Sequence, residues 1–67
     1  MMIETMNLKE LTVLLRSHGL RVSEMTLAAG IEQKIYPFGE CVRTDSGGRR
    51  FTVYTKLVQE WINERAG

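Results

Sequence analysis

The apolar residues near the start of the chain recur at the spacing of an α-helix and predict a first helix from Leu8 to His18. Asn7 and Glu10 stand at the two positions of a capping box, in which each side chain accepts a backbone N–H of the other residue. Gly19 follows the last apolar position, where a left-handed residue commonly closes a helix. The predicted buried stripe consists of Leu8, Leu11, Leu14 and Leu15.

A second helical pattern is predicted from Ser23, its N-cap, to Gln33. Its apolar face comprises Met25, Ala28, Ala29, Ile31 and Ile35. Gly30 inside this helix costs about 1 kcal/mol relative to alanine, so we expect it to permit close packing of another element. Two short helices joined by a brief turn that contains glycine have the form of a helix-turn-helix.

Beyond Pro37, which stops helical structure, the pattern changes to that of a β-hairpin. Residues 38–43 and 51–54 form two strand-like segments, and the cluster at 45–48 supplies the turn. In the second segment the alternation assigns Phe51 and Val53 to the core. The hairpin is therefore expected to bury one face and to leave the other exposed.

A last helix is predicted from Lys56 to Arg65, with Thr55 as its cap. Its apolar stripe is Leu57, Val58, Trp61 and Ile62, with Trp61 expected to be the largest core residue. The order helix, helix, β-hairpin, helix predicts an α+β fold of the winged helix-turn-helix type. We expect one domain over residues 7–67, preceded by a flexible N-terminal arm at residues 1–6, which lack periodicity.

Composition narrows the function classes. The chain has 67 residues, 43% of them hydrophobic and 25% charged, which is typical of a single small globular domain. One cysteine, Cys41, and one histidine, His18, provide neither a disulfide framework nor a metal-ligand set. No apolar run is long enough for a membrane span, and the first residues do not have the pattern of a signal peptide. We expect a cytoplasmic, non-enzymatic protein without cofactor or metal.

Charge is informative in its distribution, because the formal net charge is only +1. The hairpin concentrates three arginines, Arg43, Arg49 and Arg50. Guanidinium groups bind phosphates in bidentate geometry and also suit a narrow minor groove. These arginines are the predicted DNA contacts of the wing. The alternative is a solvated hairpin whose charges protect an edge strand.

The second helix and its flanks offer further candidates for DNA contact. Ser, Thr and Gln can hydrogen-bond base edges, and Arg and Lys can reach phosphates. The predicted residues are Arg21, Ser23, Thr26, Gln33 and Lys34. An ordinary amphipathic helix with a solvated face is the alternative reading of the same pattern.

The chain resembles small winged-helix proteins of phages and conjugative elements, the excisionase-like relatives of the MerR-type DNA-binding domain. The residues that carry the resemblance are Asn7-Leu8-Lys9-Glu10-Leu11, Ala29-Gly30-Ile31-Glu32-Gln33, Ile35-Tyr36-Pro37-Phe38-Gly39-Glu40-Cys41-Val42, the arm from Arg49 to Tyr54, and Trp61. Such proteins usually carry arginines on the second helix, whereas this chain has Glu24 and Thr26 there. The wing is therefore expected to be the main contact.

The resemblance implies a function in DNA recombination or regulation. An excisionase-like protein bends DNA, binds in several copies near attachment sites and directs an integrase towards excision, sometimes with transcriptional regulation. The expected partners are double-stranded DNA, an integrase or recombinase, and further copies of the chain on DNA. Two alternatives remain open at this point: a phage-encoded protein-interaction module or inhibitor, and a single-strand or RNA binder that uses Tyr36, Phe38 and Tyr54 for stacking.

Overall fold

The chain folds into an α+β domain in which three helices accompany a three-stranded antiparallel sheet. The computed structural model describes residues 1–66, so the last residue of the predicted domain, 67, lies outside the described residues. The elements are β1 (Thr5–Met6), α1 (Leu8–Ser17), α2 (Glu24–Glu32), β2 (Gly39–Arg43), β3 (Arg49–Tyr54) and α3 (Thr55–Arg65). All three predicted helices and the hairpin are present, and their bounds differ from the predicted ones by a few residues at most.

The first helix, α1, has the predicted caps at both ends. Asn7 Oδ1 accepts the Glu10 N–H at 2.7 Å, and Glu10 Oε1 accepts the Asn7 N–H at 3.3 Å. At the other end Gly19 has a left-handed φ of 92°, and the Leu20 N–H donates to the carbonyl of Leu15 at 3.0 Å. These bonds form a Schellman motif, which satisfies carbonyls that the helix itself leaves unpaired.

The second helix, α2, starts as predicted at Ser23, whose Oγ accepts the N–H of Thr26 at 3.2 Å. It ends in a second Schellman motif, because the Ile35 N–H donates to the carbonyl of Gly30 at 2.8 Å. Here the left-handed residue is Lys34, with φ of 61°. The C-terminal ends of α1 and α2 thus have the same hydrogen-bond geometry, with glycine as the left-handed residue in α1 and lysine in α2.

The sheet has the order β1-β3-β2 with antiparallel neighbours. Thr5 pairs with Tyr54 and Met6 with Val53, and the Thr55 N–H donates to the carbonyl of Glu4 at 3.0 Å. The predicted boundary between a separate arm at residues 1–6 and the domain is therefore wrong at positions 5 and 6. Two residues are too few to show an alternation, so this strand depends on its partner.

The hairpin of β2 and β3 has the register in which Arg43 faces Arg49 and Cys41 faces Phe51. In the loop, Gly47 has a left-handed φ of 85°, and its N–H donates to the carbonyl of Thr44 at 3.0 Å. A left-handed glycine is the usual end of a three-residue hairpin loop. The predicted turn is confirmed, and β3 starts at Arg49, two residues before the strand predicted at 51–54.

The third helix, α3, follows β3 without a connecting loop. Its N-cap is Tyr54, with no side-chain capping bond, and Thr55 is already the first helical residue. The prediction that Thr55 caps this helix is wrong, because the strand is hydrogen-bonded up to the residue before it. Within residues 1–66, no helix combines the length and the apolarity needed to cross a membrane.

The core lies between the helices and one face of the sheet. Its buried members are Leu11, Leu15, Leu27, Ile31, Phe38, Val53, Val58 and Ile62. Phe38, not Trp61, is the largest fully buried side chain. Trp61 is half-buried, with its ring edge-on to Phe38 at a centroid distance of 5.4 Å and Arg65 over its face at 4.2 Å. A tryptophan is rarely enclosed completely because of its size.

Gly30 provides the close approach that the sequence predicted. A Cβ at this position would lie 2.3 Å from Cε2 of Tyr36. The ring of Tyr36 stacks on Phe38 with centroids 5.2 Å apart. The chain after α2 therefore folds back over the end of that helix, and this return positions the hairpin.

Candidate functional site

The three hairpin arginines do not lie on one face of the sheet. Arg43 and Arg49 are partners across the two strands, whereas Arg50 is opposite Val42. Because successive side chains of a strand point to opposite faces, Arg49 shares a face with the core residue Val53, and Arg50 lies on the other face. The sequence brought these three residues into one predicted site, and the fold divides them into two sets.

The first set is joined by a carboxylate. Arg43 donates a hydrogen bond to Oε1 of Glu32, and Nη1 of Arg49 lies 2.7 Å from Oε2 of the same side chain. Each guanidinium therefore binds a different oxygen of Glu32. The arginine side chains remain 74% and 48% exposed for Arg43 and Arg49, against 24% for Glu32. The cluster lies at the surface, where the cations can still reach a ligand.

The electrostatics of this cluster follow from its hydrogen bonds. The bond from Arg49, followed by the bond from Arg43, holds the pKa of the Glu32 carboxyl below its ordinary value. The Arg49 guanidinium also lies over the ring of Phe51, 5.6 Å from its centroid, at the distance of a cation–π contact. Arg49 is thus held from two sides.

Glu32 was not singled out by the sequence, although a signal was present. It lies in the last turn of α2, a turn without a basic residue. A carboxylate is unfavourable there because the C-terminal end of a helix carries a partial negative charge. Such a residue calls for cations from another element, and the hairpin supplies two of them.

Arg50 occupies the outer face of the sheet. It is exposed and forms no ion pair within residues 1–66. On the same face, the Tyr54 hydroxyl donates to Oε2 of Glu40 at 3.0 Å. That hydrogen bond and the negative charge of Glu40 raise the pKa of the Tyr54 phenol.

The predicted contact residues of α2 fall at its two ends. Arg21, Ser23 and Thr26 border a shallow concavity before and in the first turn. The Ser23 hydroxyl is already engaged there, with its Oγ 3.1 Å from Oγ1 of Thr26. Gln33 and Lys34 lie at the opposite end, beside the cluster of Glu32. All five are exposed.

Arg16 is a residue of this region that the sequence did not indicate. Its Nε donates to the carbonyl of Val22 at 2.9 Å, which ties α1 to the segment that precedes α2. It also borders the concavity that holds Arg21 and Ser23. Arg16 therefore adds a second guanidinium, beside that of Arg21, near the N-terminal end of α2.

An exposed apolar surface extends from Met25 in α2 to Ile35, which follows the helix. Met25 is 82% exposed and Ile35 is 65% exposed. They border a shallow cleft of about 360 Å³ whose other walls include Ala29, Gly30 and Tyr36. No Lys or Arg occurs between Glu24 and Glu32. The middle of α2 therefore offers contact area but no positive charge.

The aromatic residues do not form an open stacking platform. Phe38 is fully buried, Tyr36 is half-buried against it, and Tyr54 lies in the last position of β3. The stacking surface considered for single strands is thus wrong for Phe38, which packs between sheet and helices. Within residues 1–66 there is also no group of three or more His, Cys, Asp or Glu residues that could hold a metal ion.

Comparison with known proteins identifies no relative of this chain. No family model matches the sequence, and neither a curated protein nor a solved structure matches the chain. The function therefore has to be proposed from the geometry and charge of the chain itself.

Proposed function

We propose that this protein is a small DNA-binding protein of the winged helix-turn-helix type. In this proposal α1 and α2 form the helix-turn-helix, α2 enters the major groove, and the hairpin of β2 and β3 is the wing. The single observation that supports it best is the placement of three exposed arginines on one hairpin whose residue Val53 shares the core with Leu27 and Ile31 of α2. A fixed distance between helix and wing is what two adjacent contacts on a duplex require.

The electrostatic part of the proposal rests on the wing and on both flanks of α2. Arg50 is free to contact a phosphate or the minor groove, and Arg43 and Arg49 are exposed enough to do so as well. Arg21 and Lys34 extend the positive charge to the two ends of α2. Phosphate contacts of this kind position a protein on a duplex, while base contacts supply specificity.

The proposed base contacts are the side chains of Thr26, in the first turn of α2, and of Gln33, the C-cap of the helix. Met25 and Ala29 of the same helix are exposed and offer apolar contact, which suits thymine methyl groups in the major groove. A reader with so few polar groups depends on the backbone and on DNA shape for much of its binding. This favours an architectural, excisionase-like role, with an integrase or recombinase and further copies as partners, or a regulatory role on a mobile element.

The proposal is tested by binding to a fluorescent duplex of random sequence at several salt concentrations. With three to five phosphate contacts, log K should fall against log salt with a slope of about −3 to −5, roughly −0.9 per contact. The variant Arg49→Ala/Arg50→Ala should weaken binding and flatten the slope by about 2. The matched control is Lys9→Ala/Arg65→Ala, which removes two exposed cations from α1 and α3. Equal loss in both variants would contradict a specific role for the wing.

A protein-interaction module is the second candidate. The specific observation in its favour is the apolar surface formed by Met25 of α2 and by Ile35 after it, which are 82% and 65% exposed beside a cleft. In this case the hairpin arginines would serve the fold through Glu32. Absence of duplex binding at low salt, or a flat salt dependence, would favour this function over DNA binding. The change Met25→Lys separates the two further, since it should strengthen duplex binding and weaken an apolar protein contact.

A further inference from the structure

The pair Arg43 and Arg49 has a geometry that calls for an anion. The two residues are direct partners on the same face of the hairpin, and like charges directly opposite each other destabilise a strand pair. Both guanidinium groups converge on one carboxylate, each on a different oxygen. Two guanidinium groups that share the oxygens of one small anion are equally suited to a phosphate.

We propose that Arg43 and Arg49 form a phosphate-binding clamp and that the carboxylate of Glu32 occupies this clamp when no DNA is bound. The ligand class is a phosphodiester of the DNA backbone, so the inference rests on the proposed function. In the free protein the carboxylate of Glu32 offsets one of the two positive charges of the clamp and links the hairpin to the end of α2. On the duplex a phosphate takes its place, and Glu32 competes with that phosphate at every binding event.

Exposure distinguishes this cluster from an ion pair that only supports the fold. The Arg43 side chain is 74% exposed and that of Arg49 48%, while Glu32 is 24% exposed. The cations thus face solvent from which a second anion can approach, and the carboxylate is the more enclosed partner. An exposed ion pair is worth little in water, so a duplex with many phosphates can displace it.

The charge balance of the hairpin follows from this arrangement. With Glu32 in the clamp, two guanidinium groups share one negative charge, and Arg50 is the hairpin arginine without an ion pair within residues 1–66. With a phosphate in the clamp, all three arginines contribute to binding. Glu32 thereby lowers affinity for any duplex without contacting a base.

The test compares Glu32→Gln with the wild type in duplex binding. Removal of the carboxylate should tighten binding about three- to tenfold at low salt, the range expected when two exposed ion pairs no longer compete. The salt slope should become steeper by about 0.9 for each phosphate gained. Glu24→Gln, the same charge change at the other end of α2, is the matched control and should give the smaller effect. Equal effects would show general charge repulsion and overturn the clamp.

A double-mutant cycle tests the competition directly. In the background Arg43→Gln/Arg49→Gln, the change Glu32→Gln should no longer alter duplex affinity, because the clamp is gone. An undiminished gain in that background would mean that Glu32 repels DNA by itself, and the clamp would be wrong.

A measurement without DNA separates the clamp from the proposed function. Inorganic phosphate added to Glu32→Gln should shift the side-chain Nε–Hε signals of Arg43 and Arg49 in NMR spectra, and it should shift them less in the wild type. If this occurs while neither protein binds a duplex, the clamp stands as an anion site and the DNA-binding function fails. If phosphate leaves both signals unchanged while duplex binding is intact, the clamp fails alone.

The wild type supplies a readout if Glu32→Gln does not fold. Adding duplex should change the side-chain carboxylate carbon signal of Glu32 together with the Nε–Hε signals of Arg43 and Arg49, since the ion pair is exchanged for a phosphate. A duplex that binds without moving these three signals would show that the ion pair persists in the complex and would overturn the proposal.

Discussion

The C-terminal ends of α1 and α2 have the same hydrogen-bond geometry but different surroundings. Each is closed by a Schellman motif, with Gly19 at φ 92° in one and Lys34 at φ 61° in the other. A Cβ at Gly19 would meet no atom within 4 Å, so that end opens into a free turn. At the end of α2, in contrast, Tyr36 covers Gly30, and Glu32 binds the hairpin.

This difference shows which helix end organises the molecule. The end of α1 needs only a residue that accepts a left-handed conformation, and glycine does so without steric strain. The end of α2 keeps a lysine in that conformation, which costs roughly 1–2 kcal/mol for a residue with a Cβ. The contacts around it maintain the conformation. The end of α2 is therefore the junction between the helices and the hairpin.

Gly30→Ala should give the largest effect among the changes that probe this comparison. The added Cβ meets the ring of Tyr36 at 2.3 Å, and overpacking costs about 1–3 kcal/mol. The gain in helix propensity, about 1 kcal/mol, offsets part of this cost. Denaturant unfolding measures the result. In a Tyr36→Ala background the same change should become neutral or stabilising, and persistent destabilisation there would contradict the packing role of Gly30.

Gly19→Ala tests the other end of the comparison. Here the expected cost of about 1–2 kcal/mol is purely conformational, because the left-handed φ remains while no neighbour lies near the new Cβ. The lower entropy of the unfolded chain offsets roughly 0.4–1 kcal/mol of this cost. Gly19→Asn should cost less than Gly19→Ala, since asparagine tolerates this conformation. Equal costs for both changes would contradict this explanation.

Lys34→Gly should stabilise the domain by up to about 1 kcal/mol, because it removes the left-handed strain at the end of α2. The extra backbone entropy that glycine loses on folding opposes this gain and is smaller. The matched control is Gln33→Gly, one residue earlier, where φ is −86° and glycine offers no relief. That control should be neutral or destabilising in the same denaturant experiment. A loss of stability in Lys34→Gly would show that the lysine side chain has a structural role of its own.

The smallest expected effect is the acid dependence of the Glu32 cluster. Hydrogen bonds from Arg49 and Arg43 lower the pKa of Glu32 in the folded state relative to its ordinary value of 4.5. The stability that this carboxylate contributes is therefore present above pH 4.5 and is lost as the pH falls through the lower folded pKa. The stability difference between the wild type and Glu32→Gln should shrink over that interval.

A control for this measurement is Glu60→Gln, which removes an exposed carboxylate of α3 that has no ion pair within residues 1–66. It reports the effect of net charge alone. If the wild type and Glu32→Gln lose stability in parallel on acidification, the ion pairs do not contribute to the fold in solution.

Much of the local structure could be predicted because its interactions are short-ranged. The capping box at Asn7, the Ser23 cap, the left-handed Gly19 and the glycine turn of the hairpin each close a bond within five residues of the chain. Such bonds depend on residue type and spacing alone, so they can be predicted from the sequence. The buried stripe of α1 follows for the same reason from helical periodicity.

The candidate site was predicted only in part. The sequence located the basic hairpin and the polar ends of α2, but it grouped three arginines that the strand register divides between two faces. It also left out Glu32, the residue that brings two of them together. A carboxylate in the last turn of a helix is a weak signal, and only the packing of the hairpin against α2 gives it partners.

The caps of α1 and α2, the hairpin turn and the buried stripe of α1 depend on neighbours along the chain, so residue type and spacing specify them. The same reasoning was wrong for the Thr55 cap and for Met25 and Ile35, which it assigned to the apolar face of α2 and which are exposed. Packing of the helices on the sheet sets the pairing of β1 with β3, the half-buried position of Trp61, and the ion pairs of Glu32 with residues 11 and 17 positions away. Such contacts form only where the helices and the sheet share a core. Which cations are free for a ligand is therefore decided by packing, since charge along the chain does not specify which carboxylate each arginine meets.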